Sequence, residues 1–498
     1  MLFRNIILHS RTTSPRPVPG CSKYMTGMIR RYSQHIPARK CEANTAHPGT
    51  QKSLPITPAI NFKNFSNHHL AFQHKTTKEL LRSLFVLYSC SIDTLVNNSF
   101  KLLRMGEWLM GPRLLRLLIS PFYYQFCAGN SDQEMMVTAH NLSKSGVSIL
   151  VCPLVESDVG DQQLRSELFN TNLKETLDLV HMAAQNNYLK PIPAMCHVKI
   201  SALLSPDVMM RVHDAYELLS FKDRISVVMA VADAMDPNTS KSTPSIGPLA
   251  LSPEDTKDLL DCLPRIYEIG CVATESKVIL LIDGEYTYVK TTINLLSLAM
   301  MRIFNSEKLL VWNTYQGYLK NTLNVLQHDL DIATELKLKF GAKIVRGAYL
   351  EMERSRAQRL GYPDPVNDTY QLTCANYDNV VELMLRAVHN NQEDRAVMVA
   401  TNNEASIRKA VSLLHELGLD PQKGNVVFGQ VYGMAENISV PLGKAGYRVY
   451  KSTPSGSVLE VLPYLSRRLN ENRTVFKGAR RERQLLSREL ISRLRSTS

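Results

Sequence analysis

Eight short apolar runs, each followed by a segment of helical periodicity, limit what this chain can fold into. They occupy residues 147–154, 194–201, 278–282, 309–313, 342–347, 396–400, 426–430 and 447–451. Each has the length of a strand buried on both faces, as strands are in a parallel sheet covered by helices. No hairpin signal separates them, so the series predicts an α/β fold. A doubly wound open sheet uses the same alternation, but the strand count favours a closed (β/α)8 barrel. With 498 residues and 44% hydrophobic content the chain can bury such a core and still carry appendages.

The second connection, residues 206–276, is too long for a plain crossover and holds extra helical patterns around a Pro, Ser and Thr-rich stretch at 237–253, so it reads as a helical insertion at the barrel mouth. Ahead of the first run, residues 77–126 place Leu80, Leu81, Leu84, Leu87, Leu114, Leu115, Leu117 and Leu118 at helical spacing, which predicts an N-terminal helical arm. Residues 42–75 lack periodicity and read as a linker or a poorly ordered arm. The expected division is a leader over 1–41, linker and arm over 42–114, the barrel over 115–475 and a basic amphipathic helix over 476–498. That last helix, with Leu485, Leu486, Leu490, Ile491 and Leu494 among arginines, either caps the barrel or lies on a membrane surface.

The formal net charge of +12 invites a nucleic-acid reading until its position is considered. Residues 1–41 hold eight Lys and Arg and no acid. Removing those eight from the 58 Lys and Arg, against 46 Asp and Glu, lowers the net charge to +4. An Arg, Ser and Thr-rich, acid-free leader has the composition of a mitochondrial transit peptide; a disordered basic tail is the alternative. No run reaches the 18 consecutive apolar residues of a membrane span. Nine cysteines without a C-x-x-C spacing read as reduced thiols.

In a β/α barrel the site lies at the carboxyl ends of the strands, so the polar residues closing each run are the candidates. They are Lys199, Asp283 with Glu285, Gln316, Arg346 with Tyr349, Thr401 with Asn402 and Asn403, Gln430 and Ser452. Any one of them could be a satisfied structural ion pair, but so many on one rim point to a site. After the last run, Tyr464, Arg467, Arg468 and Glu471 fall at i, i+3, i+4 and i+7, which puts them on one helix face. Two neighbouring guanidinium forks suit a carboxylate or phosphate, and a solvated basic pair is the bland reading of the same residues. G-x-G-x-x-G, G-x-x-x-x-G-K-[ST], H-E-x-x-H, G-x-S-x-G and zinc-ligand spacings are absent, so no metal is expected and a nucleotide would need another cradle.

These residues sit in stretches that resemble the proline dehydrogenase family, and within it the hydroxyproline dehydrogenase branch: VKISAL (198–203), LLIDGEYT (280–287), VWNTYQGYLK (311–320), FGAKIVRGAYLEMER (340–354), VATNNEAS (399–406), FGQVYGM (428–434) and YKSTPSGSVLEVLPYLSRRLNENR (450–473). The likeness covers roughly 115–494 and is thin through the insertion. It implies a distorted (β/α)8 barrel holding FAD noncovalently along its carboxyl rim. By the same resemblance Arg467, Arg468 and Lys199 hold a substrate carboxylate and Glu471 orients the arginines. Asp283, Tyr349, Val431 and Tyr464 line the ring pocket, and Gln316, Lys343, Arg346, Gly347, Thr401, Asn402 and Gln430 fall where the family contacts FAD.

The implied reaction removes a hydride from the ring carbon next to nitrogen and passes the electrons to a membrane quinone, with the inner mitochondrial membrane as a peripheral partner and no nucleic acid. Two departures from the pattern matter. Ser452 stands where proline-specific members carry a ring-packing tyrosine, which leaves room for a 4-hydroxyl group and favours trans-4-hydroxy-L-proline, giving 1-pyrroline-3-hydroxy-5-carboxylate. Asn402 replaces a histidine that contacts the flavin, and Ser455 replaces a common tyrosine. The alternatives are an L-proline dehydrogenase giving 1-pyrroline-5-carboxylate, and a barrel that has lost its flavin and serves as a binding protein.

Overall fold

The computed structural model describes residues 60–92, 98–129, 131–152, 165–190, 192–239, 246–454 and 480–496, together with Thr94, Gly456 and Val461. Eight strands form: β1 (Val147–Cys152), β2 (Ala194–Val198), β3 (Val278–Ile282), β4 (Val311–Gln316), β5 (Phe340–Val345), β6 (Arg395–Ala400), β7 (Val426–Val431) and β8 (Val449–Pro454). Every neighbouring pair is parallel, and β1 pairs with β8, so the sheet is a closed barrel in chain order. The crossover helices Arg165–Gln185, Pro253–Ser276, Thr287–Phe304, Thr322–Glu335, Tyr370–Asn390, Glu404–Glu416 and Glu436–Lys444 surround it.

The strands match the apolar runs except at their ends. β4 continues through Thr314, Tyr315 and Gln316, and β8 through Ser452 and Thr453, three residues past where apolarity stops. Side chains alternate across a strand while the backbone ladder depends on neither their size nor their polarity. The carboxyl ends can therefore exchange apolar for functional residues without losing pairing. β5 instead starts earlier than expected and ends at Val345, which leaves Arg346 and Gly347 in the following loop.

Inside the barrel, Leu150, Met195, Leu281, Trp312, Ala396, Met398, Val427 and Tyr450 form one packed cluster. Residues of the opposite parity pack outward against the helices in the main core. The inner cluster is the floor beneath the site, as layers of side chains are in this architecture. Gly341 is paired with Trp312 across β4 and β5, and a Cβ there would lie 2.3 Å from the indole ring. The glycine is thus the space that the largest inner side chain occupies.

The long second connection divides differently from the expectation. Pro253–Ser276 is itself the β2–β3 crossover, and only the helices Pro206–Glu217 and Phe221–Met235 are additional. They lie on the outer side of Thr287–Phe304, where the Thr292 hydroxyl donates to the Met209 carbonyl at 2.6 Å and the Thr291 hydroxyl to Glu217 at 2.5 Å. That second layer explains why Thr287–Phe304 is buried from Val289 to Met301, its polar residues Lys290, Thr291 and Thr292 included.

Within the stretch expected to be a linker, two short helices form, Phe62–Ser66 and His68–Phe72, because Asn61 and Asn67 each accept a backbone N–H at the N-cap. The arm is two helices, Thr77–Ser89 and Ser99–Phe126, the latter broken at Gly111, whose φ is +72°. The C-terminal helix Arg480–Ser496 lies against this arm through Leu485 and Leu486. Its Glu482 carboxylate accepts the Ala435 and Glu436 N–H groups at 2.8 and 3.1 Å, capping Glu436–Lys444 from outside. Arg493 donates to the carbonyls of Phe72 and Lys75, which closes the other end of the contact. None of the described helices is long and apolar enough to cross a membrane.

Replacing Gly341 by alanine overpacks the barrel floor against Trp312. It is expected to lower unfolding free energy by about 1–3 kcal/mol, read from urea melts, with the m-value unchanged.

Candidate functional site

At the carboxyl end of the barrel a cavity of about 250 Å³ is lined by residues from every strand, among them Cys152, His197, Lys199, Asp283, Thr314, Gln316, Lys343, Val431 and Ser452. A second, of about 720 Å³, opens beside it and shares Arg346, Gly347, Thr401 and Asn402 with the first. The larger is the roomier, but the titratable groups that face one another gather in the smaller.

Strand alternation aims these groups. His197 and Lys199 are two apart on and after β2, so both face the interior, as do Thr314 and Gln316 on β4. Lys343 points inward from β5, and its ammonium donates to the Asp283 carboxylate at 2.9 Å. The His197 imidazole places Nδ1 2.6 Å from the same oxygen and 3.2 Å from the lysine nitrogen. One carboxylate oxygen thereby gathers residues from three strands.

Burial pushes the His197 imidazole below its ordinary range, against the opposing pull of Asp283. Burial alone would raise the Asp283 carboxyl, but the facing groups His197, Lys343 and Lys199 hold it well below the usual carboxylate range. The two lysines bring positive charge to Asp283 in either state of the imidazole. The Nδ1 contact then reads as the imidazole donating to the carboxylate. Glu285, behind this group, is pushed up by burial and accepts the Ser201 N–H at 3.2 Å.

The remaining rim residues are positioned by second contacts. Arg346 donates to Thr401 Oγ1 at 3.1 Å and Ser406 Oγ at 2.8 Å, with its guanidinium 4.7 Å from the centre of the Tyr377 ring. Gly347 has φ +126°, and a Cβ there would strike the Tyr318 ring. Tyr349 begins the helix Leu350–Leu360 and lies 4.4 Å, ring to ring, from Tyr286. Glu353 of that helix accepts both the N–H and the hydroxyl of Thr287 at 2.7 Å, which ties it to the start of Thr287–Phe304. Gln430 borders the same cavity, its amide oxygen accepting from Ser439 at 2.9 Å and its amide nitrogen donating to the Thr401 carbonyl at 3.4 Å. On β8, Ser452 Oγ is 3.2 Å from the Cys152 thiol.

Four buried polar atoms of residues lining the smaller cavity have no hydrogen-bond partner among the described residues: His197 Nε2, Thr314 Oγ1, Gln316 Oε1 and Asn402 Oδ1. Each would cost about 1–3 kcal/mol if left unsatisfied away from water. Together they describe a slot that a polar ligand completes.

The structure therefore brings together Lys199, Asp283, Ser452, Tyr349, Val431, Gln316, Lys343, Arg346, Gly347, Thr401, Asn402 and Gln430 around one opening. Tyr464, Arg467, Arg468 and Glu471 lie outside the described residues. Sequence reasoning missed His197, Thr314 and Cys152. Counting back by two from Lys199 and Gln316 finds the first two, since strand alternation gives them the same inward aspect.

Breaking the ion pair at its lysine leaves a buried carboxylate unmatched, so Lys343→Met is expected to cost about 3–5 kcal/mol at pH 7. The Asp283 contribution in the parent is complete above its unfolded pKa, about 3.9, and is lost as pH falls through the depressed folded value. Urea melts at pH 7 and pH 4 should therefore show the parent keeping most of this increment at pH 4, while the variant closes part of the gap by protonating Asp283.

The family described as proline dehydrogenase matches residues 136–481. A hydroxyproline dehydrogenase of Xenopus laevis is 35% identical over 426 residues, covering 85% of this chain and 89% of that protein. The hydroxyproline dehydrogenase of Rattus norvegicus is 37% identical over 431 residues, covering 85% and 93%. Proline dehydrogenase 1, mitochondrial, of Homo sapiens is 30% identical over 560 residues, covering 91% and 93%. Among solved structures, proline utilization A from Bdellovibrio bacteriovorus inactivated by N-propargylglycine superposes with a TM-score of 0.56 at 20% identity, over 85% of this chain and 39% of that one, and at this identity it speaks for the fold. A barrel whose strand ends carry the rim motifs in order, matched across most of its length by these relatives, is an oxidoreductase that belongs to the proline dehydrogenase family.

Proposed function

We propose that the barrel mouth binds FAD and oxidises trans-4-hydroxy-L-proline to 1-pyrroline-3-hydroxy-5-carboxylate, with the electrons passing to a quinone. The observation that carries the substrate choice is Ser452: a small hydroxyl side chain stands on the inner face of β8 where a tyrosine would fill the cavity. A 4-hydroxyl group fits that space and finds a hydrogen-bonding partner, and a site built to bond a hydroxyl rejects the ring that lacks one. L-Proline is the second candidate, since several relatives are named for that substrate.

The chain's residues suit the cofactor. Gln316 Oε1, Thr314 Oγ1 and Asn402 Oδ1 are buried acceptors, in part also donors, without partners among the described residues, as the polar edge of an isoalloxazine requires. Arg346, Gly347, Thr401 and Asn402 stand where the two cavities meet, which suits a ligand long enough to occupy both. When bound, the flavin supplies a two-electron acceptor at N5. Lys199 with Arg467 and Arg468 holds the carboxylate, Glu471 orients the arginines, and Asp283, Tyr349, Val431 and Tyr464 border the ring. Fixing the far end of the ring sets which carbon approaches the acceptor.

The mitochondrial reading rests on the acid-free leader and on relatives named mitochondrial. Exposed Trp108, Leu109, Leu117 and Leu118 on the arm, beside exposed Arg116, offer a surface for peripheral contact with the inner membrane, where a quinone resides.

Steady-state kinetics with a soluble quinone test the substrate assignment. The parent is expected to favour trans-4-hydroxy-L-proline over L-proline in kcat/KM, and Ser452→Tyr to reduce that ratio at least about tenfold. A parent that prefers L-proline would overturn the assignment. Arg467→Met and Arg468→Met are each expected to lower kcat/KM by about 10²-fold or more through lost bidentate contacts, with retained flavin after desalting unchanged.

A further inference from the structure

We infer that His197 is the proton acceptor for the substrate's ring nitrogen. This rests on the ring-amine dehydrogenase reading above, and adds to it a residue that no rim motif singles out.

An amino acid with a secondary ring amine arrives as a zwitterion with two hydrogens on a positively charged nitrogen. Hydride cannot leave the neighbouring carbon until that nitrogen has a lone pair to form C=N. One N–H bond must therefore break first, and the proton needs a destination within the enclosed site.

His197 fits that destination by geometry. It lines the cavity, and its ring is pinned by Nδ1 at 2.6 Å from Asp283. The opposite ring nitrogen, Nε2, is buried and meets no partner among the described residues. An imidazole whose Nδ1–H is held by a carboxylate presents a lone pair at Nε2, the orientation that an aspartate imposes on a histidine base. The charged groups facing it are Asp283 from β3, Lys343 from β5 and Lys199 beyond the end of its own strand, with Glu285 farther back across the Ser201 N–H. Burial first, and the lysines after it, disfavour a positive charge on the ring against the pull of Asp283, which suits a resting proton acceptor. Asp283, shared by both, steadies the imidazolium once it forms.

The step balances. The substrate N–H bond breaks, Nε2–H forms, and the nitrogen keeps its electron pair. A bound flavin would then take hydride from the ring carbon with the C–H bonding pair while the nitrogen pair closes the C=N bond, leaving a protonated imine. The substrate is oxidised by two electrons, and the proton on His197 leaves to solvent as product departs.

His197→Gln keeps a donor for Asp283 while removing the base. In the parent, kcat/KM should be level with pH between the imidazole pKa and that of the substrate amine. The variant should be about 100-fold slower at pH 7.5, with kcat/KM rising tenfold per pH unit as free amine accumulates. His197→Ala, which leaves an imidazole-sized space, should regain activity with added imidazole. In ¹⁵N-histidine spectra of the flavin-loaded protein at pH 7.5, the resonance lost in His197→Gln should be that of a neutral ring protonated at Nδ1. A variant that stays level with pH, lack of imidazole rescue, or a charged ring in the parent would each overturn the inference. A parent that oxidises neither ring amino acid would instead overturn the reading beneath it.

Discussion

Closure of the sheet, made by β1 pairing with β8 along six residues, is the constraint on which the rest depends. A closed barrel gives alternate side chains of every strand one shared interior, and that interior has room for only a few layers. Its lower layer is apolar and built around Trp312, which is why Gly341 must be small. Charge can enter only at the open end, where water or a ligand completes its contacts. The barrel thus restricts the chemistry to one face before any particular residue is chosen.

What that face carries is an ion cluster rather than a row of independent groups. Asp283 lies between Lys343 and His197, and each of the three comes from a different strand. A buried carboxylate in such a place is stable only because it is matched, and its match fixes the position and charge of its neighbours. The acceptors around it that meet no partner among the described residues, Gln316 Oε1, Thr314 Oγ1 and Asn402 Oδ1, are groups that a polar ligand satisfies.

Much of this was legible in the sequence, for physical reasons that can be named. The eight strands show because strands covered on both faces must be apolar, and the rim shows because polar residues interrupt them. The strand ends were displaced in β4 and β8 because backbone pairing continues through Gln316 and Thr453 after the apolar signal ceases. His197 escaped notice because it lies inside an apolar run, where a histidine reads as core; only the alternation shared with Lys199 reveals its aspect. The helices Phe62–Ser66 and His68–Phe72 are too short for periodicity and are set by asparagine caps and by contact with the C-terminal helix, information that lies some 420 residues away. The second layer over Thr287–Phe304 is not legible in that helix, since Lys290, Thr291, Thr292 and Asn294 read as a solvated face whereas the structure buries all four.

The central claim is that this mouth brings a ring amino acid against a flavin for two-electron oxidation. Anaerobic mixing of the flavin-loaded protein with trans-4-hydroxy-L-proline, followed by visible absorbance in a stopped-flow spectrometer, tests it most directly. The account predicts full bleaching of the oxidised flavin band in a single turnover, faster than with L-proline at equal concentration. A band that persists at saturating concentrations of both ring amino acids would contradict it.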